Sequence, residues 1–150
     1  MKQHTNLRSR AMGYLTRREY SRDELFRKLS PYSEDPAELE SLLDDLTKRG
    51  WLSEQRFVEQ IIHARQGKYG SLRVAHELRQ KGVAETLVSA ALAEVKAGEL
   101  ETAKSIWQRK FGGQPVDAKE RAKQMRFLQS RGFGTEIIRR VVQGKGEDEC

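Results

Sequence analysis

The chain has 150 residues, of which 37% are hydrophobic and 33% charged, and its formal net charge is +6. This length predicts one domain or one array of small repeats, and the patterned apolar content excludes a wholly disordered chain. The longest apolar stretch, around residues 90–93, is too short to cross a bilayer, and a single cysteine, Cys150, excludes an internal disulfide. Because no apolar run of signal-peptide length follows Met1, we expect a soluble, cytoplasmic protein.

Two helices are predicted in the first thirty residues. Asn6 or Ser9 could cap the first of them. Ser21 and Glu24 have the spacing of a capping box, which predicts that the second helix begins beside them.

A third helix is predicted after Pro31, which ends the second. Asp35 and Pro36 supply its N-cap and a proline at its first position. Its apolar residues recur at i, i+3, i+4 and i+7, which predicts one buried face made by Leu39, Leu42, Leu43 and Leu46. The helix should end at Gly50, so residues 7–50 are predicted to form a first three-helix repeat.

The same pattern recurs in residues 51–98, the predicted second repeat. Ser53 caps its first helix, the turn at 69–71 opens its second, and Gly82 ends that second helix. A third helix is predicted over residues 84–97.

Residues 99–143 form the predicted third repeat. Its first helix ends at Gly112, its second ends at Gly132, and Thr135 caps its short last helix. The acidic tail at residues 144–150 is predicted to be disordered.

One helix-ending motif occurs three times: a leucine, two residues, a basic residue, a glycine and an apolar residue. The copies are Leu46–Trp51, Leu78–Val83 and Leu128–Phe133. Each predicts a Schellman cap, in which the glycine is left-handed and the apolar residue packs back on the leucine. Aligned middle helices lie 49 and 50 residues apart, which is near the longer helical-repeat periods. We therefore predict an all-α array of three tandem three-helix repeats with about nine helices.

No group of residues predicts catalysis. Residues 67–71 lack the spacing of a phosphate-binding loop, and His63 and His76 are 13 residues apart with no cysteine nearby. Cys150 has no base to activate it. We therefore predict a protein that is not an enzyme and has no metal site and no cofactor.

Clusters of basic side chains with an occasional aromatic ring are the remaining indication of a function, and they favour binding. Such clusters hold a phosphate backbone or an acidic protein surface, although a run of charge can also be the solvated face of a helix. The preferred contacts are Arg73, Arg79, Arg126 and Arg131, whereas Trp51 and Trp107 are predicted to be core or cap residues. The full predicted partner-binding set is Arg65, Lys68, Tyr69, Arg73, Arg79, Arg109, Lys110, Arg126, Arg131, Arg139 and Arg140.

Four segments resemble the RecX family, the bacterial regulators of the RecA recombinase. They are residues 21–29 (SRDELFRKL), 50–58 (GWLSEQRFV), 69–83 (YGSLRVAHELRQKGV) and 126–133 (RFLQSRGF). They occur in the family's order, and the resemblance covers residues 8–143. This chain has Ser53-Glu54 where the family usually has two acids, and Gly70-Ser71 where it often has Gly-Pro. Serine can cap either helix, so these departures leave the predicted fold intact.

The resemblance implies an elongated, curved stack of three-helix repeats that acts as a monomer in DNA repair and the SOS response. It implies binding to the RecA filament on single-stranded DNA and inhibition of its ATP hydrolysis, strand exchange and growth. The filament is thus the expected partner, single-stranded DNA is a second one, and no membrane is involved. Two alternatives stay open: a helical module that binds DNA directly, and a structural adaptor for another partner.

Overall fold

The computed structural model describes residues 2–143, with side chains from residue 7 onward, and this part of the chain is helical without a strand. A 3-10 turn at Ser30–Tyr32 follows the second helix. The helices are α1 (Lys2–Leu15), α2 (Arg22–Leu29), α3 (Pro36–Lys48), α4 (Glu54–Arg65), α5 (Ser71–Gln80), α6 (Glu85–Ala97), α7 (Glu99–Phe111), α8 (Ala118–Ser130) and α9 (Thr135–Val142). The all-α prediction is confirmed. The predicted disordered tail, residues 144–150, lies outside the described residues.

Three of the predicted helix starts are confirmed by side-chain caps. The Ser21 hydroxyl accepts the Glu24 N–H at 3.0 Å, and the Glu24 carboxylate accepts the Ser21 N–H at 3.2 Å, which completes the capping box. Asp35 accepts the N–H of Ala37 at 3.0 Å at the start of α3. At the start of α4, Ser53 accepts the N–H of Arg56 at 3.1 Å.

Two predicted caps are wrong. Helix α1 begins at Lys2, so Asn6 and Ser9 lie inside it. Asn or Ser costs at most about 0.7 kcal/mol in a helix interior, so neither residue has to mark a helix end. Thr135 is the first residue of α9, and Gly134 holds the N-cap position without a side-chain hydrogen bond.

The three glycine caps are confirmed as Schellman motifs. In each one the glycine has φ between 78° and 93°. The glycine N–H donates to the carbonyl three residues earlier at 3.0 Å, and the N–H of the next residue donates to the leucine carbonyl at 2.9–3.3 Å. Val83 and Phe133 are buried against their caps. Trp51 is 40% exposed, so it is not a core residue, whereas its N–H completes the cap by donating to the Leu46 carbonyl. Its ring lies 5.6 Å from the Arg49 guanidinium instead.

The chain forms two compact units, the first of which contains residues 1–61 and 78–88. The predicted buried face of α3 packs in its core through Leu39, Leu43 and Leu46, each at most 1% exposed. Leu25 and Leu29 of α2 are fully buried in the same cluster.

The second unit contains residues 62–77 and the described residues from 89 onward. Its core includes Trp107, which confirms the prediction for this residue, and the buried Leu128 and Phe133. The Trp107 indole N–H donates to the Gln124 side-chain oxygen at 2.7 Å, and Gln124 is 1% exposed. Sequence reasoning missed this buried amide. The predicted repeat boundaries at residues 50 and 98 stay predictions.

Candidate partner-binding surface

In the first unit, the C-terminal end of α5 meets the N-terminus of α2; we call this contact the first junction. The Ser21 hydroxyl donates to the Lys81 carbonyl at 2.7 Å. The approach is close, because a Cβ on Gly82 would lie 2.7 Å from the Cβ of Asp23. The negative end of one helix therefore faces the positive end of another, which is the favourable arrangement of their dipoles.

In the second unit, the C-terminal end of α8 meets the N-terminus of α5; this is the second junction. The Gly70 N–H donates to the Arg131 carbonyl at 2.8 Å, and the Leu72 N–H donates to the Gly132 carbonyl at 3.0 Å. A Cβ on Gly132 would lie 2.7 Å from the Arg73 backbone nitrogen. Both junctions therefore require a glycine at the end of the incoming helix.

A glutamate at the start of a third helix completes each junction. Glu54, the first residue of α4, accepts the Arg22 N–H at 2.7 Å in the first junction. Glu99, the first residue of α7, accepts the N–H and the hydroxyl of Ser71 at 2.7 and 2.9 Å in the second. The Glu54 carboxylate therefore contributes a contact between helices within the fold. Sequence reasoning missed both roles.

Two cations of the first junction share one carboxylate. The Arg18 guanidinium lies 3.7 Å from the Tyr20 ring centroid, and the Glu24 carboxylate pairs with both Arg18 and Lys81 at 3.0 Å. Burial by itself would raise the pKa of Glu24, but hydrogen bonds from Arg18, Lys81 and the Ser21 N–H lower it below its ordinary value. The positive charges of Arg18 and Lys81 are therefore paired within the protein.

The second junction has the same aromatic ring but the opposite charge beside it. Tyr69 occupies the position of Tyr20, and Arg73 occupies the position of Glu24. The Tyr69 ring lies 4.2 Å from the Arg73 guanidinium and 5.7 Å from that of Arg131. A cation therefore replaces the carboxylate that pairs with the cations of the first junction.

Cations and rings alternate outward from Tyr69; we name Arg73, Tyr69, Arg131, Phe127 and Lys110 the cation–aromatic row. The Phe127 ring lies 5.1 Å from the Arg131 guanidinium and 5.3 Å from the Lys110 ammonium. Arg73 and Arg131 also donate to backbone carbonyls at 3.3 and 3.2 Å, which fixes their positions. Within residues 7–143, no carboxylate forms an ion pair with a cation of this row.

Five of the predicted partner-binding residues are brought together here: Lys68, Tyr69, Arg73, Lys110 and Arg131. Lys68 is exposed and contributes its carbonyl as the acceptor for Arg131. Sequence reasoning missed Phe127, because a half-buried phenylalanine on an amphipathic helix is indistinguishable from a core residue.

Three other predicted contacts are already neutralised. Arg65 pairs with Glu77 at 2.6 Å, Arg79 pairs with Glu85 at 2.7 Å, and Arg139 pairs with Glu136. The hydrogen bonds that Arg65 and Arg79 donate to Glu77 and Glu85 raise the pKa of both guanidinium groups above their ordinary values. Their charges are therefore less available to a partner.

The remaining predicted contacts, Arg109, Arg126 and Arg140, lie outside the cation–aromatic row. No ion pair joins them to another residue in the described part of the chain. His63 and His76 are exposed. Among the described residues, no three metal-binding side chains converge, and no helix is long and apolar enough to cross a membrane.

Comparison with known proteins identifies the family. Models of the second and third three-helix domains of RecX match residues 53–92 and 97–142. The regulatory protein RecX of Leptothrix cholodnii is 46% identical, over 92% of this chain and 88% of that protein. This chain belongs to the RecX family. Its RecX-family relative in Ralstonia nicotianae is 43% identical, over 95% of this chain and 90% of that protein.

Solved RecX structures share the fold. The crystal structure of RecX from Lactobacillus salivarius superposes with a TM-score of 0.80 at 16% identity and covers 95% of this chain and 96% of that one. A second crystal structure, of a regulatory protein RecX, gives a TM-score of 0.79 at 20% identity and covers 94% of this chain and 73% of that one. The all-α helical repeat fold is thus that of the RecX family. The cation–aromatic row draws residues from both segments that the RecX domain models match.

Proposed function

We propose that this protein binds the RecA recombinase filament on single-stranded DNA and inhibits its ATP hydrolysis, strand exchange and growth. Membership of a family whose members are named regulatory proteins supports a regulatory role. The observation that carries the choice of surface is the cation–aromatic row, whose positive charges have no carboxylate partner within residues 7–143. The protein acts as a monomer in the cytoplasm and transforms no substrate.

A filament of protein on DNA is a suitable partner for such a row. Both the phosphate backbone and acidic protein surfaces attract exposed cations, and the attraction accelerates encounter as well as orienting the complex. Arg73 and Arg131 are held by rings and carbonyls before any partner arrives, so little side-chain entropy is lost on binding. The row is therefore the principal proposed contact.

The test is ATP hydrolysis by RecA on single-stranded DNA, titrated with sub-stoichiometric protein. Arg73→Gln and Arg79→Gln form a matched pair, because each removes one positive charge from α5, but Arg79 is already paired with Glu85. We expect Arg73→Gln to raise the half-inhibitory concentration several-fold and Arg79→Gln to leave it near that of the unmodified protein. Absence of inhibition by the unmodified protein would reject the function. Equal effects of the two substitutions would reject the row as the main contact.

A further inference from the structure

The second unit contains a small cavity whose wall includes Tyr69 and Glu99 of the second junction. Residues of α4, α5, α6 and α7 and of the loop before α5 line it. Its volume is about 90 Å³. Because a molecule of liquid water takes about 30 Å³, this is the room of about three waters. A small molecule or a short alkyl chain fits such a space, but a peptide or a nucleotide does not.

The wall of the cavity holds a buried carboxylate that has no cation beside it. Glu99 is 6% exposed, and its Oε2 accepts the N–H and the hydroxyl of Ser71 at 2.7 and 2.9 Å. Within residues 7–143, no donor reaches its Oε1, and no lysine or arginine forms an ion pair with it. The N-termini of α5 and α7 provide partial positive charge, but a buried carboxylate is ordinarily paired with a full one. An ammonium group in the cavity would supply that charge.

The rest of the wall suits an aliphatic chain with a second ammonium group. Glu94, an exposed carboxylate near the end of α6, lines the same cavity as the buried Glu99. Thr102 lies one turn after Glu99 on α7 and brings a hydroxyl acceptor to the wall. The apolar part of the wall is formed by Ile62, Val74 and Val95. Methylene groups gain free energy when they leave water for such a surface.

The charge of the wall favours a cation over an anion. Arg65 is the one cation that lines the cavity. Its Nε and one terminal nitrogen donate to the two oxygens of Glu77 at 2.8 and 2.6 Å, so its charge is balanced by that carboxylate. The carboxylates of Glu94 and Glu99 therefore set the sign of the wall. A divalent metal ion is not favoured, because no three metal-binding side chains converge in the described part of the chain.

We propose that this cavity binds a small aliphatic diamine, with one ammonium group at Glu99 and the other at Glu94. The buried carboxylate then gains the cation that the fold does not give it, and the methylene groups contact the apolar wall. This inference goes beyond the proposed function and does not depend on it, since diamine binding is measured without recombinase or DNA.

The first junction provides an internal control. Glu54 begins α4 as Glu99 begins α7, and it also accepts a backbone N–H, that of Arg22, at 2.7 Å. The cleft beside Glu54 is lined by two arginines, Arg22 and Arg56, and by no second carboxylate. A diamine is therefore not expected there. Glu54→Gln removes the same charge from an equivalent position and should leave diamine binding unchanged.

The experiment is a nuclear magnetic resonance titration of the isotope-labelled full chain with diaminobutane hydrochloride, with the chloride concentration held constant by sodium chloride. We expect saturable shifts of the backbone amide signals of Ser71 and Gly98, which adjoin the cavity, with half-saturation in the millimolar range. Butylammonium should bind several-fold more weakly because it lacks the second ammonium group. Butanol, which has the apolar chain and no charge, should cause no saturable shift.

Two substitutions locate the ammonium groups. Glu99→Gln keeps an acceptor for the Ser71 N–H but removes the buried charge, so we expect diaminobutane binding to be lost. Glu94→Gln changes an exposed residue, and it should weaken diaminobutane to the level of butylammonium while leaving butylammonium binding unchanged. Because Glu94 is exposed, this second variant tests the site even if Glu99→Gln does not fold.

Four outcomes would overturn the inference. They are the absence of a saturable shift, equal shifts with sodium chloride alone, unchanged diaminobutane binding in Glu94→Gln, and equal losses in Glu99→Gln and Glu54→Gln. The second of these would show that water or an inorganic ion fills the cavity. Tighter binding of an acetylated lysine amide than of diaminobutane would assign the cavity to a lysine side chain of another protein, and it would also overturn the inference.

Discussion

Gly50, Gly82 and Gly132 share a left-handed conformation, but their surroundings differ. Nothing lies within 4 Å of a Cβ built on Gly50, whereas one on Gly82 would meet Asp23 and one on Gly132 would meet Arg73. The glycine of the first motif therefore serves only its own helix end. The other two also permit a second helix to approach, and this explains why Val83 and Phe133 are buried while Trp51 is not.

Alanine substitution should separate these two roles. In Gly50→Ala only the left-handed conformation is penalised, at a cost of about 1–2 kcal/mol. Gly132→Ala adds a clash 2.7 Å from the Arg73 backbone nitrogen, which cannot move without separating α5 from α8. We therefore expect Gly132→Ala to lower the free energy of unfolding more than Gly50→Ala, as measured by urea denaturation followed by circular dichroism. Equal losses would show that the close approach contributes nothing.

At the scale of helices, most of the fold could be predicted because its ends are encoded locally. The Ser21 box, the Asp35 cap and the three glycine caps each depend on residues within one turn of each other. The missed features depend on partners far along the chain. Glu54 meets Arg22 across 32 residues, and Glu99 meets Ser71 across 28. The local residue spacing that identifies a helix cap does not indicate which distant residue will contact it.

The carboxylates of the first junction should respond oppositely to pH. Burial raises the pKa of Glu54 above its ordinary value of 4.5, with a smaller increase from the Asp23 carboxylate, and the Arg22 N–H only partly offsets this. One Glu54 oxygen is buried without a hydrogen-bond partner among the described residues. The folded protein thus keeps this proton over a pH interval in which the unfolded chain has released it. Within that interval, ionisation of Glu54 reduces the free energy of unfolding as pH rises.

Two neutral substitutions measure this effect. The stability of Glu54→Gln relative to the unmodified protein should increase as pH rises from about 4 through the raised pKa of Glu54 and then level off. Glu24→Gln should show the reverse trend, because the lowered pKa of Glu24 makes its carboxylate stabilising at higher pH. Urea denaturation at a series of pH values provides both curves. Parallel trends in the two variants would contradict the assignment of opposite shifts.

For the whole chain, the net charge of +6 does not reveal which cations are paired with carboxylates, and this limited the prediction of the site. The sequence placed Arg73 and Arg79 together as preferred contacts, but only the structure shows Arg79 paired with Glu85. Arg139 lies three residues from Glu136, so its pairing could have been anticipated from helical spacing. The position of Phe127 beside Arg131 and Lys110, and the pairing of cations in the first junction, depend on contacts between helices. The order of charges along the sequence does not predict such contacts.

The remaining positive field should control how fast the protein meets its target. Long-range attraction raises association rates and is screened by salt, whereas contacts made after docking mainly set dissociation. As salt rises from about 0.01 to 0.1 M, the screening length falls from about 30 to 10 Å. We therefore expect the association rate with immobilised RecA filaments to fall steeply over this range, measured by biolayer interferometry, with a smaller change in dissociation. Arg73→Gln should associate more slowly and with a weaker salt dependence, and Arg79→Gln should behave as the unmodified protein does. An association rate insensitive to salt would show that the exposed cations do not guide the encounter.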